Sequence, residues 1–426
     1  MAVATYTALA NYYKIIYSGS NLENATFGNT QFWKAVKKVD YKAGLHEELV
    51  IKHKARVGTY RKYAASRQLS GFTSGGPSNP DLTKFKVKMM DNYSDFEIEA
   101  KAMVLSSDNK KAWAEAKKEI VDDCLEDHRN KLGRLIWGNG GGHLTKAASV
   151  NTTTNVFTCN PVADAYKFHI GMKLDVADPD DYTTEVYVDT TGMRGLVLTV
   201  TGVNRQTGVI TYSGTDTAFA NGDYLFIYGD AALESASETT AQFMSGVAAW
   251  IPSVTTGLAT ENFMEAGAGA RDTDHQALAG WRQSWTGLIE ETVKNLDVQM
   301  ARYSTDVPLA GWMSFANISK LEMELQGRVT RDDGKDALFG LPGLVYNSPR
   351  GRIKFMGDTY LDDTKGYLLD MSTWEVRKVG GLPHFCDEDG MMLRQSLTQD
   401  GVYGQVRSWA QLVCTKPIRN GVFLLA

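Results

Sequence analysis

Long apolar runs are missing from this chain: none approaches the roughly 20 residues needed to cross a bilayer as a helix. The opening MAVATYTALANYYKIIYS lacks the basic start and apolar core of a secretory signal, so synthesis and use in a cytoplasm, with no membrane partner, is the expectation. Cysteine is scarce. Cys124, Cys159, Cys386 and Cys414 lie far apart with no CxxC pair, which writes neither a zinc motif nor a disulfide framework and leaves four buried, inert thiols as the reading. No GxSxG elbow and no HExxH occurs, and the seven histidines are scattered, so no residue is singled out as catalytic and the expectation is a chain that is not an enzyme. His128 reads as a packing or surface residue. No cofactor site and no metal site is assigned. PHFCDEDG (383–390) matches neither a zinc finger nor an EF-hand and reads as a polar turn, as do Asp178, Asp180 and Asp181.

What is present is an ordinary globular composition, 43% apolar and 22% charged over 426 residues, enough for two or three domains. The net charge of -5 is unevenly spread. Residues 31–70 carry ten Lys or Arg against three acids, and residues 147–230 carry ten acids against four bases. The first segment suits polyanions or acidic partner surfaces, and the second would be repelled by nucleic acid.

Residues 1–45 hold Tyr6, Tyr12, Tyr13, Tyr17, Phe27, Phe32 and Trp33 without a sustained period, which predicts an extended arm needing some other surface to bury its aromatics. LVIKHKAR, KFKVKMM and DFEIEAKAM alternate as strands do. KFKVKMM puts Lys84, Lys86 and Lys88 on one face, and the turn-rich SGFTSGGPSNP lies between the first strand and the others. The prediction is a long hairpin-like excursion over 46–104.

From Ser106 to Trp137 the period becomes helical, acids precede bases, and about 30 residues imply a rod of roughly 45 Å. The run GNGGG then asks whether it is a phosphate loop. Such a loop feeds the positive N-terminal end of a helix; here the glycines follow the helix, at its negative end. Gly138 is expected to be the left-handed residue that closes the helix, with Gly140, Gly141 and Gly142 as a flexible exit.

Residues 147–230 read as a small all-β barrel or sandwich inserted between two halves of another domain, from short runs such as NVFTC, LVLTVTGV, GVITYSG and DYLFIYG separated by turns. Beyond Glu234, helices are predicted over 287–303 and 314–326, followed by the strands of a closing sheet. EAGAGARDTDHQ (265–276) reads as a flexible loop.

The order of these parts resembles the major capsid protein of tailed double-stranded DNA bacteriophages, the Hong Kong ninety-seven-type fold. RLIWGNGGG (134–142) looks like the end of that family's spine helix, and DVPLAGWMSFANISKLEMEL (306–325) like the strand and helix of its axial domain. Residues 340–381 and the tail QVRSWAQLVCTKPIRNGVFLLA resemble its later strands.

The resemblance implies an α+β fold with an N-arm over 1–45, an extended loop over 46–104, and a spine helix with its exit over 105–146. An inserted all-β domain over 147–230 and the rest of the peripheral and axial domains over 231–426 complete it. It implies self-assembly into hexamers and pentamers of an icosahedral virion shell that forms in the host cytoplasm and encloses DNA without reading its sequence. A separate scaffolding protein, a portal and in some cases a decoration protein are implied partners. Lys52, Lys54, Arg56, Arg61, Lys62, Lys84, Lys86 and Lys88 become candidates for facing neighbouring subunits or DNA. Two other readings stay open at this point: an encapsulin-like cellular nanocompartment shell, and a soluble binding module built on 147–230. The basic loop and the acidic insertion favour the phage.

Overall fold

A computed structural model describes residues 31–42, 44, 46–54, 81–99, 110–177, 193–230, 243–255, 257–259, 261–303, 309–325, 330–331, 344–348, 350–387, 393–395 and 400–425. It begins with a short helix, Gln31–Ala35, then β1 (Lys37–Asp40), β2 (Glu47–Lys54), β3 (Asp81–Val87) and β4 (Met90–Glu99). β2 and β3 form a two-stranded antiparallel ladder by themselves. β4 does not belong to that hairpin, contrary to the sequence expectation. Its alternation buries Asn92, Ser94, Phe96 and Ile98, and the strand pairs along its length with β20 (Gly401–Cys414), more than 300 residues away. Period-2 patterning identifies a strand and leaves its partner open.

The helix α1 spans Lys110–Trp137, 28 residues and therefore about 42 Å long. Val121, Cys124, Leu125, His128, Leu132, Leu135 and Ile136 make its buried stripe, while Asp122, Asp123, Glu126 and Asp127 face outward. Its end does not close as expected. Gly138 donates to the Leu135 carbonyl at 3.1 Å, a tightened last turn, and the left-handed glycines are Gly140 (φ 92°) and Gly142 (φ 75°). Asn139 supplies the local cap, its Oδ1 accepting from the Gly141 N–H at 3.0 Å.

Six strands follow: β5 (Thr145–Asn151), β6 (Val156–Asn160), β7 (Lys173–Ala177), β8 (Met193–Asn204), β9 (Val209–Ser213) and β10 (Tyr224–Ile227). They close into a barrel in the order β10-β5-β6-β9-β8-β7. The interior is filled by Phe157, Phe168, Leu174, Leu198, Tyr212 and Phe219, a cluster separate from the main core. Closure removes every free edge from the sheet.

The remainder forms two sheets. One has the order β1-β17-β20-β18, with β4 and β19 also paired to β20; β17 is Trp374–Lys378, β18 His384–Phe385 and β19 Arg394–Gln395. The other runs β11-β21-β16-β12-β15-β14-β13. Its strands are β11 (Trp281–Gln283), β12 (Ala310–Met313), β13 (Thr330–Arg331), β14 (Leu344–Ser348), β15 (Gly351–Gly357), β16 (Lys365–Leu369) and β21 (Gly421–Leu424). Two helices accompany it, α2 (Ile289–Ala301) and α3 (Phe315–Leu325), and Glu324 of α3 caps α2 by accepting from the Ile289 and Glu290 N–H groups.

The main core joins both sheets to the end of α1. Trp137 packs on Phe32 (4.6 Å between ring centres), Trp312 (5.7 Å) and Tyr367 (5.7 Å, stacked). Phe32 and Trp33 are fully buried within their own chain, so these two aromatics need no outside surface; the other five singled out in the arm lie outside the described residues. Each such side chain contributes roughly 1.5 to 3 kcal/mol by burial. All four cysteines are free and buried, and burial pushes Cys124, Cys159 and Cys414 up to about 12.

Candidate assembly surface

The basic residues expected to face outward start on the β2–β3 hairpin. Its inner face, Ile51, Phe85 and Val87, is buried; Phe85 meets Trp250 at 5.6 Å and Phe263 at 6.1 Å. The outer face carries Lys52, exposed, together with the exposed apolar Val50 and Leu82. Lys54 closes β2. Arg56, Arg61 and Lys62 lie outside the described residues.

The three lysines of β3 and its exit share one side, but acids of the same chain hold them. Lys84 binds Glu48 at 3.0 Å across the hairpin. Lys86 binds Glu265 at 2.8 Å, and Lys88 binds the same carboxylate. The two lysines hold the Glu265 carboxyl down at about 2. By composition 265–276 is a loose loop. Instead it is tied on both sides: Arg271 is 1% exposed, pairs with Glu261, and donates to the Ala249 carbonyl at 2.7 Å. Asp274 then caps the short helix His275–Ala279. Neither Glu261, Glu265 nor Arg271 stands in a pattern that sequence reading could have flagged.

Where α1 ends, a cleft of about 570 Å³ separates it and the barrel from the loop between β15 and β16. Its walls alternate in sign, with Lys131 bound to Asp230 at 2.8 Å and Lys167 to Asp164 at 2.5 Å. Tyr166 of the barrel side faces Tyr360, whose hydroxyl donates to Asn130 on α1 at 2.6 Å. Desolvation lowers His143 to about 3, reinforced by Lys167 and Lys365. Gly142 is required here: a Cβ would lie 2.2 Å from the Phe243 ring, and its φ of 75° disfavours other residues.

His128 is not a surface residue. It is fully buried between α1 and the β4–β20 pair, where Nδ1 lies 2.9 Å from Ser94 Oγ and Nε2 lies 2.7 Å from Ser408 Oγ. Burial lowers it to about 4, with Lys131 and His384 adding to the shift. Among the described residues there is no cluster of three or more metal-ligating side chains, and no helix is long and apolar enough to cross a membrane.

A long helix ending on a glycine exit, a hairpin rooted in the core, two sheets and a closed barrel together make a known architecture. No protein-family model and no curated sequence matches the chain. Among solved structures, the capsid asymmetric unit of cyanophage A-1(L) matches with a TM-score of 0.50 at 12% identity, covering 92% of this chain and 91% of that one. The capsid of the empty GTA particle matches with 0.44 at 8% identity, over 94% and 90%. The holo-SrpI encapsulin complex of Synechococcus elongatus matches with 0.41 at 9% identity, over 93% and 87%. At 12% identity the cyanophage likeness is one of fold: the chain has the mixed α/β phage capsid fold, of the Hong Kong ninety-seven type.

Proposed function

We propose that this chain is the structural subunit that builds the icosahedral head shell around the double-stranded DNA of a tailed bacteriophage. The observation that carries this reading is the capsid fold, matched along 92% of the chain. In this reading residues 105–146 are the spine helix and its exit, the hairpin of β2 and β3 (Glu47–Val87) is the extended loop with β4 returning to the body, and 231–426 are the rest of the peripheral and axial domains. Residues 147–230 are an inserted domain displayed on the outer surface, which suits their acidity because they then sit away from packaged DNA.

The subunit acts without chemistry. Its exposed apolar side chains on the hairpin and the axial helices, Val50, Leu82, Val298 and Met323, supply contact area to neighbouring copies. Many weak heterologous contacts repeated around rings then add up to a closed shell. Lys52 and the basic segment 55–68 meet acidic neighbours or DNA phosphates without reading sequence. A scaffolding protein and a portal are the expected partners, and the virion is the expected location.

The test is negative-stain electron microscopy with sedimentation of the chain expressed with and without its genomic neighbours. Uniform shells, or hexameric and pentameric rings, are the expected result, with DNA as the contents of filled particles. A monomer under every condition sinks the proposal, and protein cargo in place of DNA points to a nanocompartment. The inserted barrel is proposed to support capsomer contacts or subunit folding. Unchanged solubility, assembly yield and particle stability after its deletion would remove that role.

A further inference from the structure

Two consecutive residues that are not glycine, Met264 (φ 47°, ψ 40°) and Glu265 (φ 52°), sit in the left-handed region. Side chains of this size rarely adopt it, and such strain persists only where the surroundings over-determine it. Here the surroundings are identifiable. Asn262 Oδ1 accepts from the Gly267 N–H at 2.9 Å, and Glu261 O accepts from the Gly269 N–H at 2.9 Å, so the turn is stitched at its base. Phe263, just before the strained pair, is fixed among Phe85, Trp250 and the Arg271 guanidinium, which lies 4.0 Å over its ring. Glu265, at the other end, holds Lys86 and Lys88.

The turn therefore grips β3 and its exit at two points, Phe263 through the buried Phe85 and Glu265 through the outward Lys86 and Lys88. The left-handed turn carries the chain from one face of that strand to the other within two residues. The grips are unequal. The aromatic one is buried, whereas Lys86 and Lys88 are each about 40% exposed, and ion pairs of that exposure are weak and screened by salt. Backbone strain opposes what the two ion pairs contribute, so of the two grips the ionic one is the weaker and the one able to open.

We propose that Glu265 is a latch that sets the direction in which the β2–β3 hairpin leaves the body of the subunit. Closed, it holds Lys86 and Lys88 and keeps Met264 and Glu265 left-handed. Open, it releases the lysines to a carboxylate of a neighbouring copy, the turn relaxes, and the hairpin pivots on Phe85. The consequence for shell geometry rests on the capsid reading above; the latch itself is a property of the single subunit.

The experiment places spin labels at Lys52→Cys on the hairpin and Val298→Cys on α2, both exposed positions in a chain whose own cysteines are buried. Electron-electron distances are read in the unassembled chain. In the parent the closed distance dominates at low salt, and the ratio of closed to open falls about three- to fivefold in 1 M sodium chloride, the scale of one exposed ion pair. Glu265→Gln gives the open distribution at low salt, Met264→Gly keeps the closed one to higher salt, and the reversal E265K/K86E/K88E restores it. A single distance, unchanged by salt in the parent, overturns the latch even if Glu265→Gln fails to fold. A responding latch in a chain that never forms shells leaves the latch standing and removes the capsid reading; shells built from a chain with one fixed distance do the reverse.

Discussion

Glu261 and Arg271 form a two-pronged ion pair inside the protein, Nε to Oε1 at 2.5 Å and Nη2 to Oε2 at 2.7 Å, with both residues almost entirely shielded from water. Burial pushes the Glu261 carboxyl up and Arg271 opposes it. The pair ties the turn at 261–271 to the carbonyls of Ala249 and Trp250 and so fixes the platform on which Phe85 and the hairpin stand.

Removing one partner should therefore be costly. Arg271→Met strands a buried carboxylate and is expected to lose about 3 to 5 kcal/mol in denaturant unfolding. The double replacement Glu261→Leu with Arg271→Met is expected to recover most of that loss. Equal stability of single and double variants would contradict the buried pair.

A second prediction concerns acid. His128 is held near 4 in the folded chain and titrates near its ordinary 6.5 when unfolded, so the unfolded state binds the extra proton between these values. Its contribution to stability is fully present above pH 6.5 and is lost as pH falls toward 4, by up to about 3 kcal/mol at the usual 1.36 kcal/mol per unit. His128→Gln, compared with the parent in denaturant melts from pH 7 to 4, should flatten that part of the profile. The comparison isolates His128 from His143 and His384, which are lowered too.

Packing supplies a third. A Cβ on Gly246 would lie 2.4 Å from the backbone carbonyl oxygens of both Leu135 and Ile136, where the turn Val247–Trp250 meets the end of α1. Backbone cannot yield as a side chain can, so Gly246→Ala is expected to cost about 1 to 3 kcal/mol. A thermal midpoint within one degree of the parent would show that the contact is loose.

These residues also show what could be read in the one-dimensional sequence. The helical period of α1 and the runs of the barrel depend on neighbours three, four or two positions apart, so they were legible. β4 was legible as a strand and illegible as a partner of β20, because pairing across 300 residues leaves no local trace. The alternation of KFKVKMM marks the face its lysines share, yet the acid that holds Lys86 and Lys88, Glu265, lies 177 residues or more along the chain in a stretch whose alanines and glycines suggest looseness. Composition groups Phe32 and Trp33 with a surface-seeking arm, because it does not tell an inward aromatic from an outward one. The motif points to Gly138 for the left-handed role, whereas the chain turns at Gly140 and Gly142.

A fourth prediction follows from the two separate cores. Phe157→Ala removes the ring at the centre of the barrel, in contact with Phe168, Tyr212 and Phe219, and is expected to destabilise the barrel by about 3 to 5 kcal/mol. The main core touches none of these rings. Hydrogen exchange should therefore rise across β5 to β10 and stay at parent levels in α1, β20 and β21. A uniform rise through the chain would mean that barrel and body unfold as one unit.

The chain departs toward the barrel at Gly140 and is back in the body at Phe243, and these two places are joined by a hydrogen bond of 3.2 Å from the Phe243 N–H to the Gly140 carbonyl. Within the barrel, Leu144 likewise donates to Leu225 at 2.7 Å, so first and last strands meet side by side. Everything between those stitches is topologically a side branch, and its contour length has no bearing on the path of the trunk. Another small fold whose ends emerge together could be spliced in at the same point, which makes this junction a natural graft site for presenting foreign sequences.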